Sequence, residues 1–372
     1  VYLPRRRKTA SRTSRVSSIS GKSSSRSTSG NSASFGDGES WPVDGWEGPV
    51  LVLRQSSLGD VVLASSAARL IQLRRPELDV VFVTRQAYVP ALRWLDGVEV
   101  KAEESLAAAD EEELRRRFRS VLDLQGGARG LRASRRLAPR AKRFTYDRAS
   151  LQRRLFVASG GRLPKIAPVI ERFQRAVAGK GVQGLPLRPL LSVPAEERER
   201  MRARIEALDP GKRWWILSMP SASKPLKAIP EWLCQLIEEY LRQKGLGVVR
   251  LLPPGEPERE RMEEMPVNFA LSVPLEELPA LIAAADAACS ADSGLMHLAT
   301  AVGTPVVALW GPTHPGLGFA PYGAAEVVGA DVPCRPCHIH GPRRCWLGHH
   351  RCWTDLPWRE ASEAMVRMVE TE

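Results

Sequence analysis

The chain has 372 residues, 43% of them hydrophobic, and a formal net charge of +12 at pH 7. That length and apolar content suffice for two cores of ordinary domain size. No apolar run reaches the roughly 18 residues of a membrane-spanning helix, and none resembles the core of a signal peptide, so neither is expected.

Arg5-Arg6-Arg7-Lys8 precedes a Ser-rich run to Ser34, with no acidic residue before Asp37. Such a segment buries too little apolar surface to offset its ordering entropy, so residues 1–48 are expected to form a disordered tail. Val50-Leu51-Val52-Leu53 then reads as a buried strand and Val61 to Leu73 as an apolar, Ala-rich helix. Ser56, Ser57, Gly59 and Asp60 fall at the turn between them. An open parallel sheet places its ligand at such a strand end. An Asp at a helix start also serves simply as an N-cap.

Further apolar runs predict strands near Val80 to Val83, Ser120 to Leu124, Trp214 to Ser218, Gly247 to Leu252 and Pro305 to Leu309. Helical patterns lie between them, which argues an α/β fold with parallel sheets. Gly160 to Pro194 is rich in Gly and Pro and marks the boundary between a domain at 49–190 and one at 191–356. In the second, the strand Ala287 to Cys289 runs into Asp292-Ser293-Gly294, and a small-residue helix follows. Free N–H groups and the helix dipole favour a phosphate there, although an ordinary crossover has the same pattern. A final helix is expected from Pro357 to Val369, within 357–372.

The positive charge is concentrated. Arg115 to Arg154 holds fourteen Lys or Arg against Asp123 and Asp147, a local balance of +12. The run suits either a solvated helix face or an anionic partner, and no nucleic-acid-binding signature accompanies it. Cys234 and Cys289 sit in apolar contexts, as buried small hydrophobes. Cys334, Cys337, Cys345 and Cys352 are spaced C-x2-C-x7-C-x6-C within 332–354, among four histidines. In a cytosolic chain such a cluster points to a structural zinc or iron rather than disulfides; the plain alternative is loop thiols under no shared constraint.

Leu53-Arg54-Gln55-Ser56-Ser57-Leu58-Gly59-Asp60 together with Asp292-Ser293-Gly294-Leu295-Met296-His297 resembles glycosyltransferase family 9, the bacterial lipopolysaccharide heptosyltransferases. The resemblance runs from about Pro49 to about Trp358. Along it lie Asp123-Leu124-Gln125-Gly126, Pro220-Ser221-Ala222-Ser223 with Lys227 and Pro230-Glu231, and Gly311-Pro312-Thr313-His314-Pro315. It implies a GT-B arrangement, two facing Rossmann-like domains with parallel sheets and the active site in the cleft. The last helix would pack back toward the first domain. The activity implied is inverting transfer of heptose from a nucleotide-heptose, ADP-heptose foremost, to a lipopolysaccharide inner-core or related surface-glycan acceptor. The basic first domain would receive an anionic glycolipid acceptor, with peripheral contact to an anionic membrane at the inner face of the cytoplasmic membrane.

Residue by residue, the resemblance places Asp60 at the family's catalytic aspartate, the base for the acceptor hydroxyl. Ser56, Ser57, Gly59 and Gln125 fall on the acceptor-side loops. Lys227, with the Ser221 and Ser223 hydroxyls, becomes the diphosphate partner. Ile229 stands where the family has an aromatic residue, so Lys224 is the alternative. Asp292 repels phosphate and is assigned to a ribose hydroxyl or to loop orientation, while Ser293 and Gly294 cradle the phosphate. His297 is either a nucleotide-site residue or a packed core histidine. Glu256 is placed for the ribose, with Glu258 competing. No Asp-x-Asp pair occurs, which suits catalysis without a metal cofactor. Some family members carry a comparable cysteine cluster. The rival functions are a sugar-nucleotide epimerase of the same fold and a basic nucleic-acid-binding protein.

Overall fold

Short runs of Val, Leu, Ile and Ala that bury both faces can only sit inside a sheet covered on each side, and here they form the centres of two parallel sheets. A computed structural model of the chain describes residues 40–108, 116–179, 190–255, 257 and 269–370. The first sheet has order β3-β2-β1-β4-β5, with β1 at Val50–Leu53, β2 at Val80–Thr84, β3 at Glu99–Ala102, β4 at Ser120–Asp123 and β5 at Lys142–Thr145. The second has order β11-β10-β9-β6-β7-β8. Its strands are β6 (Trp215–Met219), β7 (Gly247–Leu251), β8 (Ala270–Leu271), β9 (Ala287–Ala291), β10 (Val306–Leu309) and β11 (Ala325–Val328). Every recorded pairing in both sheets is parallel. Two parallel α/β halves are thus present, as the sequence suggests.

Helix α1 spans Leu58–Arg74, α2 Glu103–Ala108, α3 Gly127–Leu137, α4 Ser150–Ala158, α5 Val169–Ala178 and α6 Ala195–Glu206. Then come α7 (Glu231–Gln243), α8 (Leu278–Ala284), α9 (Gly294–Val302), α10 (Arg351–Thr354) and α11 (Trp358–Glu370). Among the described residues no helix is long and apolar enough to cross a membrane.

Three expectations need correction. Residues 41–46 are not loose tail: Trp41, Val43 and Trp46 are buried. Arg74 holds Asp44 through two hydrogen bonds of 3.0 Å and lies over the Trp41 ring, and Trp46 stacks on Phe144 at 4.3 Å. Residues 1–39 lie outside the described residues. Second, the segment expected as a boundary contains α5, whose buried Val169, Ile170, Phe173 and Val177 pack against α1. Those positions repeat at helical spacing and bury one stripe. Third, α11 turns its buried Ala361, Ala364, Met365 and Val369 onto the second sheet, meeting α7, β9, β10 and β11 rather than the first half.

α1 also packs against α9, so a helix of the first half meets a helix of the second at their amino ends. Glycine makes this possible. A Cβ on Gly294 would stand 2.9 Å from the Gly59 nitrogen and 3.0 Å from the Leu58 side chain. One on Gly59 would stand 2.8 Å from Cδ2 of His297 and 3.2 Å from the Gly294 Cα. Backbone cannot yield as a flexible side chain does, so Gly294→Ala should destabilise the chain by about 1–3 kcal/mol in denaturant unfolding. Unchanged stability would show that the two loops do not touch in solution.

Candidate active site

The strand ends of β1 and β9 and the amino ends of α1 and α9 converge on a cleft of about 780 Å³. The sequence-predicted Ser56, Ser57, Gly59, Asp60, Gln125, Ser221, Ser223, Lys227, Asp292, Ser293, Gly294 and His297 all line it. Glu256 and its competitor Glu258 lie outside the described residues.

α1 begins at Leu58, three residues before the expected start, so Asp60 sits within the first turn and Ser57 is the N-cap. The Ser57 hydroxyl does not cap the backbone but donates to the Asp60 carboxylate at 3.2 Å. Arg54 Nη2 approaches the same oxygen at 2.7 Å, while its Nη1 donates to the Leu124 carbonyl at 2.6 Å. Arg54 itself is buried at the end of β1. The carboxylate is therefore oriented by two side chains and partly open to the cleft. This argues against simple capping for Asp60.

The neighbouring loop is set by a buried acid. Asp123, at the end of β4, accepts the backbone N–H groups of Gln125 at 3.0 Å and Gly126 at 2.8 Å. Gly126 adopts φ +67°, where a side chain would be strained. Gln125 in turn accepts the Gln55 N–H at 3.1 Å, tying the β4 loop to the β1 loop.

On the opposite wall, Asp292 is nearly buried between two partners. Lys227 Nζ lies 2.9 Å from its Oδ2, and the Thr313 hydroxyl donates to the same oxygen at 2.6 Å. This contact supports the loop-orienting role for Asp292. An ammonium has three donors, so the pair fixes Lys227 while leaving others for a ligand. Lys224 also lines the cleft. Ser293 is the N-cap of α9 and accepts the Leu295 N–H at 3.2 Å.

His297 is both packed and cleft-lining. It is 4% exposed, and its Nδ1 has no hydrogen-bond partner. Burial pushes its pKa down to about 4, against the opposing pull of Asp292 and Asp60. The imidazole is therefore neutral near pH 7. His314, against the Phe156 ring, is likewise pushed down to about 4 by burial.

Nine members of the basic run fall into three groups. Arg129, Arg132, Arg135 and Arg136 are exposed on α3, a solvated face. Lys142 and Arg143 belong to edge strand β5, where Arg143 Nε donates to Asp123 at 3.2 Å. Arg148, Arg153 and Arg154 line the cleft, and the sequence did not single them out. Arg153 lies over the Phe319 ring at 4.4 Å, and burial pushes its pKa down to about 10. Counting Arg54, Lys224 and Lys227, six cations line the cleft against the carboxylates of Asp60 and Asp292. Such a surface attracts anionic ligands.

The expected four-cysteine centre is not assembled. Among the described residues no three His, Cys, Asp or Glu side chains gather in a metal-holding arrangement. The Cys337 thiol donates to the Cys334 carbonyl at 3.1 Å, Cys334 Sγ faces His349 Nε2 at 3.8 Å, and Cys352 packs into the second core. The lobe nevertheless supports the site. The Trp353 indole donates to the Leu226 carbonyl at 2.9 Å, next to Lys227, and Lys227's stem packs on Gly341.

The low pKa of His297 fixes a pH dependence. Between about 4 and 6.5 the unfolded chain binds a proton that the folded chain refuses, so stability falls as pH drops through that window and is fully present above it. His297→Gln should flatten the slope of unfolding free energy against pH between those values. Identical slopes for the two proteins would mean that the histidine is not buried and neutral.

Comparison with known proteins bears on the cleft as a whole. The model of glycosyltransferase family 9 (heptosyltransferase) matches residues 110–343, more than half of the chain. Lipopolysaccharide heptosyltransferase 1 of Pseudomonas aeruginosa is 32% identical over 142 residues, 37% of this chain and 39% of that protein. The chain spans about two fifths of the length of the curated relatives it matches. Escherichia coli ADP-heptose lipopolysaccharide heptosyltransferase II shares the fold, with a TM-score of 0.64 and 21% identity over 87% of this chain and 98% of that one. The iron-containing dodecameric glycosyltransferase TibC of enterotoxigenic Escherichia coli aligns at a TM-score of 0.51 and 14% identity, over 87% of this chain and 77% of that one. With two parallel sheets, a polar cleft between them and this match, the chain belongs to glycosyltransferase family 9, the heptosyltransferase family.

Proposed function

We propose that the chain is an inverting glycosyltransferase that moves heptose from a nucleotide-heptose, ADP-heptose foremost, to an anionic lipopolysaccharide inner-core acceptor. The observation that carries this is one oriented carboxylate facing a cleft with a threefold excess of cations over carboxylates. Family membership and the names of the matched heptosyltransferases support the sugar and the base. The division of labour follows the two sheets. Residues 49–190 would receive the acceptor and 191–356 the donor, with the work done at the inner face of the cytoplasmic membrane.

In this reading Asp60 takes the proton of the acceptor hydroxyl as its oxygen attacks the anomeric carbon. The bond to the diphosphate breaks on the opposite face, so configuration inverts. Negative charge then grows on the departing diphosphate. Lys227, the Ser221 and Ser223 hydroxyls and the N–H groups opening α9 are placed to receive it, with no metal cofactor required of the protein. Arg54 and Ser57 position the carboxylate. His297, neutral, packs against Gly59 in the cleft wall. An epimerase would need no acceptor, and nothing in the cleft favours it.

Asp60→Asn should therefore fold and bind ADP normally yet lose turnover by roughly 100-fold or more. Lys227→Ala should weaken ADP binding, read by calorimetry, because the diphosphate loses its charge partner. Near-normal turnover of the first variant, in intact protein, removes Asp60 from the mechanism. Unchanged ADP affinity in the second moves the contact to Lys224.

The cysteine lobe carries a second proposal, that Cys334, Cys337, Cys345 and Cys352 close around one structural zinc or iron. Its support is the C-x2-C-x7-C-x6-C spacing within one lobe. Four thiolates would fill the coordination sphere, leaving the ion no open catalytic position. Elemental analysis of untagged protein should find about one zinc or iron per chain, absent in Cys337→Ser. Metal-free, fully active native protein ends this proposal.

A further inference from the structure

Of the eight large hydrophobic side chains exposed among the described residues, five cluster in two segments: Leu151, Leu155 and Leu163 on and after α4, and Trp346 and Leu347 in the cysteine lobe. The segments adjoin. A Cβ on Gly161 would lie 3.2 Å from Pro336 and one on Gly160 3.5 Å from the Pro333 carbonyl. Leu151 and Trp346 are each 68% exposed, far more than the packing of either segment requires.

Charge follows the same outline. Arg162, Lys165, Arg343 and Arg344 are exposed outside the cleft, and no Asp or Glu falls within residues 148–170 or 332–354. A hollow of about 710 Å³ is lined by Leu155 and Leu163 together with Lys165, Arg172, Arg175 and one acid, Asp147. Arg172 is 4% exposed, and one of its terminal nitrogens has no partner. Tyr146 lines both this hollow and the cleft.

We propose that the face built by α4, the loop after it and the cysteine lobe docks on an anionic lipid surface. Leucines and an indole with exposed arginines and a lysine around them are the composition of an interfacial anchor. The apolar groups enter the headgroup boundary while guanidinium and ammonium groups meet lipid phosphates. Docked in this way, the chain brings the hollow and the cleft beside it to the surface. This places lipid contact on a different face from exposed α3, where the arginines have no apolar companions of comparable exposure.

The test uses the full chain and vesicles of phosphatidylcholine with or without phosphatidylglycerol, and needs no activity, so it stands apart from the proposed reaction. Co-sedimentation is measured at low salt and at about 1 M salt, where the Debye length is about 3 Å. High salt silences the Arg-rich residues 1–39 and α3 but spares inserted side chains. The wild type should bind the anionic vesicles with a component that survives salt. L151S/L155S/L163S/W346S should weaken that component about tenfold or more, given the apolar area removed. R162E/R343E/R344E should weaken low-salt binding. Reversing Arg129, Arg132, Arg135 and Arg136 should leave the salt-resistant component intact. Because all the changed residues are exposed or partly so, unaltered melting temperatures are expected and are checked first. Serine substitutions without effect, binding wholly lost at high salt in the wild type, or loss of a protein complex with vesicle binding unchanged would each overturn the proposal.

Discussion

The site depends on a backbone-to-backbone contact. Gly59 and Gly294 stand in the first turns of α1 and α9, the helices that follow β1 and β9, and nothing larger than hydrogen fits between those turns. Because they touch, the amino ends of α1 and α9 face a common space, and the polar side chains beside them share one cleft. Other contacts also join the halves, among them the Ile166 and Val169 N–H groups on the Gly316 and Gly318 carbonyls, but this one sets Asp60 against the first turn of α9. The glycines thus act through what they permit elsewhere. That is a constraint of distance, not of φ.

Within that frame each carboxylate of the cleft is held before any ligand arrives. Arg54 and Ser57 hold Asp60, and Lys227 and Thr313 hold Asp292. The holding groups are themselves held. Arg54 donates to the Leu124 carbonyl, and the Lys227 loop is braced by Trp353 through the Leu226 carbonyl. A cation presented by such a chain of contacts need not reorganise when charge develops on a leaving group, which is where preorganised electrostatics gains over water. Trp353 also covers Gly311, where a Cβ would stand 2.3 Å from its ring. The cysteine lobe is therefore connected to the Lys227 wall of the cleft whether or not a metal joins it.

Much of this was legible in the chain, for a physical reason. Central strands of a parallel sheet must be apolar on both faces, so β1, β2, β4, β6, β7, β9 and β10 announce themselves as runs. The edge strands do not. β3 reads Glu-Val-Lys-Ala and β5 Lys-Arg-Phe-Thr, half-exposed and charged, as edges that avoid pairing with other chains commonly are. β5 consequently hid inside a basic run that looked uniform. α5 was lost for the opposite reason: its apolar stripe is regular, but the Gly and Pro around it read as linker. The polar loops were found as motifs, whereas Arg54 was passed over because it closes an apolar strand and only its partner shows what it does.

The division of the arginines carries the last step of synthesis. A run of fourteen cations against two acids looks in sequence like one electrostatic feature. The fold assigns its members to different tasks by orientation alone. Arg129, Arg132 and Arg135 point to solvent from one helix face, where water screens them and each contributes little, while Arg136 pairs with Glu103. Arg143 neutralises Asp123 beneath the loop that carries Gln125. Arg153 reaches the cleft wall, where loss of water lowers its pKa and strengthens its pull on any anion that enters. Net charge therefore says that an anionic partner is expected, while burial says where it goes. The few desolvated cations by the cleft, rather than the many exposed ones on α3, set the preference of this site.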